Sequence, residues 1–355
     1  MAYTDIDDPS AYFHTQLYTG NATARSITND ANAGDFKPDW LWIKVRNNAN
    51  NHRVFDSSRG ANLDLVTNLT QGDSDSTDRC TGFDANGFSL GINAEVNSNT
   101  HNIVAWQWKA NGGTTTTNDA SATGIGTIDS VYQANTTAGF SIVTYTGTTS
   151  AGSIAHGLGA VPKMIIVKNR DDGAENWAVQ SPTASDPWTD YMWLDLPNAL
   201  DDNVGLWNDT APTSTVFTIG TSGVVSQAEN HVAYCFAEKQ GYSKIGKYIG
   251  NGNANGTFVY TGFKPAYVMV KRTNGVGSWV IHDSTRAGFS NPTDEYVYAN
   301  ATNVEATDIP HDFLSNGFKI RATWDDTNGS GSTYIYMAFA ESPFVSSAGV
   351  PTTAR

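Results

Sequence analysis

Phe36-Lys37-Pro38-Asp39-Trp40-Leu41-Trp42-Ile43-Lys44 recurs as Ala160-Val161-Pro162-Lys163-Met164-Ile165-Ile166-Val167-Lys168, and again as Phe263-Lys264-Pro265-Ala266-Tyr267-Val268-Met269-Val270-Lys271. Each copy is a proline, a run of β-branched or aromatic apolar residues and a lysine six positions after the proline, with Arg46, Arg170 or Arg272 next. The runs are apolar at nearly every position rather than alternating, which predicts strands covered on both faces, central in their sheets. The closing lysines, Lys44, Lys168 and Lys271, are expected to surface at strand ends or to lay their stems along apolar neighbours.

The likeness between the copies extends outward. Tyr18-Thr19-Gly20, Tyr145-Thr146-Gly147 and Tyr248-Ile249-Gly250 precede the phrase, and Val104 to Lys109, Val232 to Glu238 and Ile335 to Glu341 close each unit. The first and third units also share His52-Arg53-Val54-Phe55-Asp56-Ser57-Ser58-Arg59 and Val280-Ile281-His282-Asp283-Ser284-Thr285-Arg286. We read this element as a structural polar corner, with His52 and His282 in corresponding places. A period of roughly a hundred residues exceeds the ~20–50 of solenoid repeats, so each unit is a small domain. The expected divisions are 1–134, with a Thr/Gly-rich linker around Asn111 to Ser121, then 135–240, then 241–355.

Gly, Thr, Ser, Asn and aromatic residues dominate, good surface helix formers are scarce, and no long stretch has helical apolar spacing. Clusters such as Asn251-Gly252-Asn253 and Asn328-Gly329-Ser330-Gly331 supply turns. The fold class expected is all-β, with three antiparallel β-sandwich or jelly-roll modules. A net charge of −14 opposes a sequence-independent grip on nucleic acid, which needs clustered Lys and Arg. The start has no charged region followed by an apolar stretch, so no secretory signal is expected, and no segment reaches the ~20 apolar residues of a membrane helix. Cys80 and Cys235 lie in different units without metal-ligand spacing.

Few motifs suggest catalysis. Gly87-Phe88-Ser89-Leu90-Gly91 matches a nucleophile elbow, yet the equivalent positions carry Thr218 and Lys319 while the alternation persists, so a strand is the better reading. Gly250 to Gly256 lacks the lysine and helix of a phosphate cradle and is read as a hairpin loop. Asp73, Asp75 and Asp78 lack the glycine and distal glutamate of a calcium hand and are read as a solvated acidic turn. The seven histidines show no shared-metal spacing, and no carboxylate couple stands out as a glycosidase pair. We therefore expect no catalytic residue, metal or cofactor. Ten tryptophans and fifteen tyrosines make stacking on sugar rings the most plausible ligand chemistry. Pro187-Trp188-Thr189-Asp190-Tyr191-Met192-Trp193 with Trp207-Asn208-Asp209 is the densest aromatic, Asn- and Asp-flanked stretch, which makes Trp188, Trp193 and Trp207 the candidate ligand-binding residues.

Tyr12 to Asn21, Phe140 to Gly147, His156 to Lys163 and the closing Phe339-Ala340-Glu341-Ser342-Pro343-Phe344 together resemble an uncharacterised family of virion proteins common in marine tailed bacteriophages. The likeness covers nearly the whole chain and brings no assigned site residues with it. It implies a structural particle component, a tail-associated fibre or adhesin contacting host-surface glycans, or alternatively a head decoration protein, made in the host cytoplasm and residing in the virion. A polysaccharide-degrading enzyme is the remote alternative. The implied partners are other virion proteins and a host glycan, with neither nucleic acid nor membrane insertion. Three units in one chain either build a three-fold body alone or join in a homotrimer, and the homotrimer is favoured. The tract Met1 to Phe13 is read as an anchoring arm that orders on docking.

Overall fold

The computed structural model describes residues 2–30, 35–181 and 188–352. The chain is all-β, and three times over it lays a large antiparallel sheet against a small one. The first module contains β1 (Phe13–Thr19), β2 (Arg25–Thr28), β3 (Trp40–Val45), β4 (Arg53–Asp56), β5 (Gly60–Val66), β6 (Ser74–Asp75), β7 (Cys80–Asp84), β8 (Gly87–Leu90) and β9 (Asn102–Trp108). The second contains β10 (Thr116–Asn118), β11 (Ser130–Asn135), β12 (Phe140–Thr146), β13 (Gly152–Ala155), β14 (Met164–Asn169), β15 (Ala178–Gln180), β16 (Asp190–Trp193), β17 (Asp201–Asp202), β18 (Val216–Ile219) and β19 (Asn230–Phe236). The third contains β20 (Ser243–Ile249), β21 (Phe258–Tyr260), β22 (Phe263–Arg272), β23 (Val280–Asp283), β24 (Tyr296–Tyr298), β25 (His311–Leu314), β26 (Gly317–Ile320) and β27 (Thr333–Pro343).

The large sheets run β1-β9-β3-β4-β5-β6, β10-β11-β12-β19-β14-β15-β16-β17 and β20-β27-β22-β23-β24, so the strand built from the repeated phrase is an interior strand each time. The small sheets are β2-β8-β7, β13-β18 and β21-β26-β25. Ser89 lies on β8 and its hydroxyl donates to Asp84, as the strand reading of that segment requires.

Alternation is hidden because both faces of the repeated strands are buried, against different partners. Leu41, Ile43 and Val45 face the first module's own core, Ile165 and Val167 the second's, Val268 and Val270 the third's. The other face, Trp40 and Trp42, Met164 and Ile166, Tyr267 and Met269, enters one core shared by all three modules. There Trp40 stacks on Tyr234 at 4.6 Å between ring centroids, and Phe13 on Phe339 at 5.3 Å. The three modules are thus gathered by one chain around a common aromatic centre, and truncating one of its indoles costs about 3–5 kcal/mol.

Four expectations are corrected. β10 and β11 hydrogen-bond onto β12, so the supposed linker largely belongs to the second module, which begins before residue 116 rather than at 135. The N-terminal tract is packed down: Ile6 is buried in the central core, the Tyr3 hydroxyl donates to Gly262 O at 2.7 Å, and Ser347 N donates to the Asp7 carboxylate at 2.6 Å. Lys44, Lys168 and Lys271 have no exposed surface at all. Finally, Trp40 pairs with Asp56 and Tyr267 with Asp283. Counting back from those aspartates, His52 matches Trp279, and His282 matches Phe55, so the two histidines do not correspond.

Candidate functional site

The modules meet at three seams that follow one cyclic rule. A main-chain N–H near the end of one large sheet donates to a carbonyl just beyond the repeated strand of the next: Asp73 to Arg170 O at 2.6 Å, Leu200 to Thr273 O at 2.8 Å and Glu305 to Arg46 O at 2.8 Å. Each head therefore binds the next tail, and the ring closes after three. The indole N–H groups of Trp177 and Trp279 cross two of the seams in the opposite direction, donating to Val66 O at 2.9 Å and to Trp193 O at 2.8 Å in the preceding module.

The lysines sit at these seams. Lys44 Nζ donates to Asn50 O and to Thr302 O of the third module, Lys271 Nζ to Pro197 O of the second and to Gly277 O, and Lys168 Nζ to Asn169 O. Carbonyl oxygens satisfy the ammonium hydrogens, but burial still penalises the charge and pulls each lysine down to about 8.

Two seams add buried charge. Between the second and first modules, Arg170 reaches Asp73 at 2.7 Å; Asp73 also binds Arg59 at 2.6 Å, Arg59 binds Asp56 at 2.5 Å, and the Tyr234 hydroxyl donates to Asp56 at 2.7 Å. Between the first and third, Arg46 reaches Glu305 at 2.7 Å; Glu305 binds Arg286 at 3.0 Å, Arg286 binds Asp283 at 2.5 Å, and Trp106 Nε1 donates to Asp283 at 3.0 Å. Burial raises the Glu305 carboxyl, but its hydrogen bonds and charge pairing with Arg46 and Arg286 outweigh that and hold it below the ordinary carboxylate range. The shared Asp-Ser-Arg element is therefore a structural seam clamp. Asp73, one of the acidic-turn residues, is one of its members rather than a solvated group.

The candidate ligand residues separate. Trp207 is wholly buried, because the helical turn Val204–Trp207, capped by Asn203, tucks its indole among Leu206, Phe217 and Ile219 in the second module's core. It cannot offer a face to a sugar. Trp193 is half-buried against that same core, with Tyr191 edge-on at 4.6 Å. Trp188 is half-buried, with a left-handed φ of 74° unusual for a bulky residue. Pro187 lies outside the described residues.

A second aromatic face escaped the sequence reading. Phe258 and Tyr260 on β21 are 43% and 54% exposed, while Val259 between them is buried. The signal was Phe258-Val259-Tyr260 itself, in which the aromatic residues take the outer positions of an alternating strand. Tyr260 borders a cleft of about 420 Å³ with Tyr3, Glu238, Gln240 and Lys244. The Tyr3 and Tyr260 hydroxyls lie 3.4 Å apart, and Lys244 pairs with Glu238 at 3.2 Å. Burial, then the hydrogen bond to Tyr260, raises the Tyr3 hydroxyl well above its ordinary range, so it stays a neutral donor. Aromatic faces beside one acid, one amide and one ammonium can hold a polyhydroxylated ring. Glu238 is the one carboxylate lining the cleft among the described residues, whereas glycoside cleavage uses a facing pair. No group of His, Cys, Asp and Glu able to hold a metal occurs among the described residues.

Fold and seams together define a class: an all-β body of three like modules closed around one core. The chain belongs to the DUF7483 family, a domain of unknown function, whose model matches residues 8–343. That span takes in all three modules, so the family unit is the whole body rather than one sandwich. Comparison with curated proteins finds no match.

Proposed function

We propose that this protein is a structural component of a tailed-bacteriophage virion, carried at the tail, where an exposed aromatic face contacts host-surface glycans without catalysis. The observation that supports glycan contact is the Phe258 and Tyr260 ridge with its cleft at Tyr3, Glu238 and Lys244, where stacking surface adjoins polar groups suited to hydroxyls. The virion setting rests on the sequence resemblance. Imaging of intact particles labelled at the C-terminus tests it: label on the tail supports the reading, and a glycan screen then compares Tyr260→Ala and Trp188→Ala with the parent. A tenfold loss of glycan retention is expected for Tyr260→Ala, with a smaller loss for Trp188→Ala.

The second reading is head decoration without a specific ligand, favoured by the amount of buried charge devoted to holding the modules together, which suits an inert plug. Label spread over the head selects it, and label absent from particles returns the question to a glycan-processing enzyme. Homotrimerisation of whole chains is a further proposal, tested by light scattering. One chain already supplies three modules about one centre, so three-fold matching to a particle does not require it.

A further inference from the structure

The first and third modules fill one place in their sandwiches with different chemistry. In the first, Phe55 of β4 lies opposite Leu41 in the large sheet and Cys80 of β7 opposite Leu90 in the small one, and all four pack in that module's own core. Counting from Asp56 and Asp283, and from Phe88 and Phe318, the same positions in the third module are His282 of β23, opposite Val268, and His311 of β25, opposite Ile320. Two apolar side chains of one sandwich are two imidazoles in the other.

Both histidines are wholly buried and their ring centroids lie 4.2 Å apart, so the pair bridges the large sheet and the small one. His311 Nδ1 donates to Ile309 O at 3.1 Å, which leaves Nε2 as the lone-pair nitrogen of that ring. Neither His311 Nε2 nor either ring nitrogen of His282 has a hydrogen-bond partner among the described residues. An added proton on either ring therefore meets no acceptor. The neighbouring groups do not supply one. Arg286, from the turn after β23, is a buried cation bound to Asp283, and Tyr296 of β24 commits its hydroxyl to Asp308 at 2.7 Å. Asp312, next to His311, pairs with Arg321 at 3.5 Å, while Val268 of β22 and Phe318 of β26 are apolar. Burial, then the His311 and Arg286 charges, holds His282 well below its ordinary range against a weaker opposite pull from the Glu295 main chain, and burial pulls His311 down to about 4.

We propose that His282 and His311 form an acid-operated latch, whose protonation releases the small sheet β21-β26-β25 from the large sheet of the third module while the first module, with Phe55 and Cys80 at that place, stays closed. Mutual repulsion of the two imidazolium rings and their unmet N–H groups drive the release. In the opened form each ring returns to its ordinary 6.5, so between that value and the folded one the open form binds more protons, and closure weakens as pH falls. His311 alone makes opening about 20-fold easier at pH 5 than at pH 7, and His282 adds to this in the same direction. The latch does not rest on the glycan-contact reading, although the Phe258 and Tyr260 face rides on the sheet it releases.

The test is amide hydrogen exchange on the full chain, read as protection factors corrected for the pH dependence of intrinsic exchange. From pH 7 to pH 5, protection at β25 and β26 is expected to fall at least tenfold more than at β7 and β8 of the first module. Exchanging the pair for its first-module counterpart, His282→Phe with His311→Cys, is expected to bring the two falls within threefold of each other. Should that double variant not fold, ring-proton titration in the parent chain decides, and both imidazoles are expected to stay neutral down to pH 5 in the closed form. The proposal is overturned by equal loss of protection in the two modules, by a folded double variant that keeps the acid loss at β25 and β26, or by either ring titrating near pH 6.5 in the closed protein.

Discussion

The seam between the third and second modules differs from the other two. All three share the main-chain contact between neighbours, and at two of them a buried acid and arginine are added, Asp56 with Arg59 and Asp283 with Arg286. In the second module the position of those aspartates is Ser181, whose hydroxyl donates to Lys163 O within its own module. The change is matched on the other side. Where the clamped seams present a donor to the aspartate, Tyr234 or Trp106, the third module presents Met337, which has none. An aspartate facing a thioether would be a buried charge with a missing partner, so donor and acceptor are absent together. Closure of the ring thus rests on the backbone contacts and shared core, and the charge clusters reinforce it at two of three places.

That contrast can be broken most severely at the clamps. Asp283→Ala and Asp56→Ala each take one of two carboxylates from a fully buried guanidinium, leaving Glu305 or Asp73, and orphan the Trp106 or Tyr234 donor, for an expected loss of about 3 kcal/mol in urea unfolding, against about 1 kcal/mol for Ser181→Ala at the unclamped seam. Next comes pH. The seam lysines lie near 8 when folded and at an ordinary 10.5 when unfolded, so between these values the unfolded chain binds more protons and stability rises with pH. Below pH 8 the burial penalty is present in full. Urea midpoints from pH 7 to 10 should climb, and Lys271→Met should flatten the climb by up to about 1.4 kcal/mol per pH unit. Arg46→Ala removes a two-point hold on Glu305 but leaves Arg286 there, for about 1.5–3 kcal/mol. At the unclamped seam Thr273 stands where Arg46 does, and the neighbouring Arg272 meets an exposed Asp325 at 3.5 Å, so Arg272→Ala should change the midpoint by no more than about 0.5 kcal/mol.

Much of this body was legible in the repeated phrase. Three short apolar runs ending in lysine announced three interior strands, and Gly317-Phe318-Lys319-Ile320 against Gly87-Phe88-Ser89-Leu90 marked further strands, which lie in the small sheets. What the runs could not disclose was where their second face went. Trp40 and Leu41 are both apolar, yet one meets the neighbouring modules and the other its own, and nothing in the linear order separates them. The lysines were misread for the same reason: a strand end is exposed on a lone sandwich but enclosed at a seam. Trp207 misled because Asn and Asp beside an aromatic residue mark helix ends as readily as sugar sites. Tyr260 shows in the sequence only as one outer position of a three-residue alternation around Val259, a weaker signal than clustered tryptophans.

The contact between Asp7 and Ser347 brings together positions 340 residues apart. The polypeptide is therefore a hoop whose clasp lies on the third module, and the clasp position is arbitrary with respect to strand pairing. A circularly permuted chain, joined across that clasp and opened between Gly113 and Thr114, keeps every sheet order. Which module is synthesised first is thus separable from which module sits beside which.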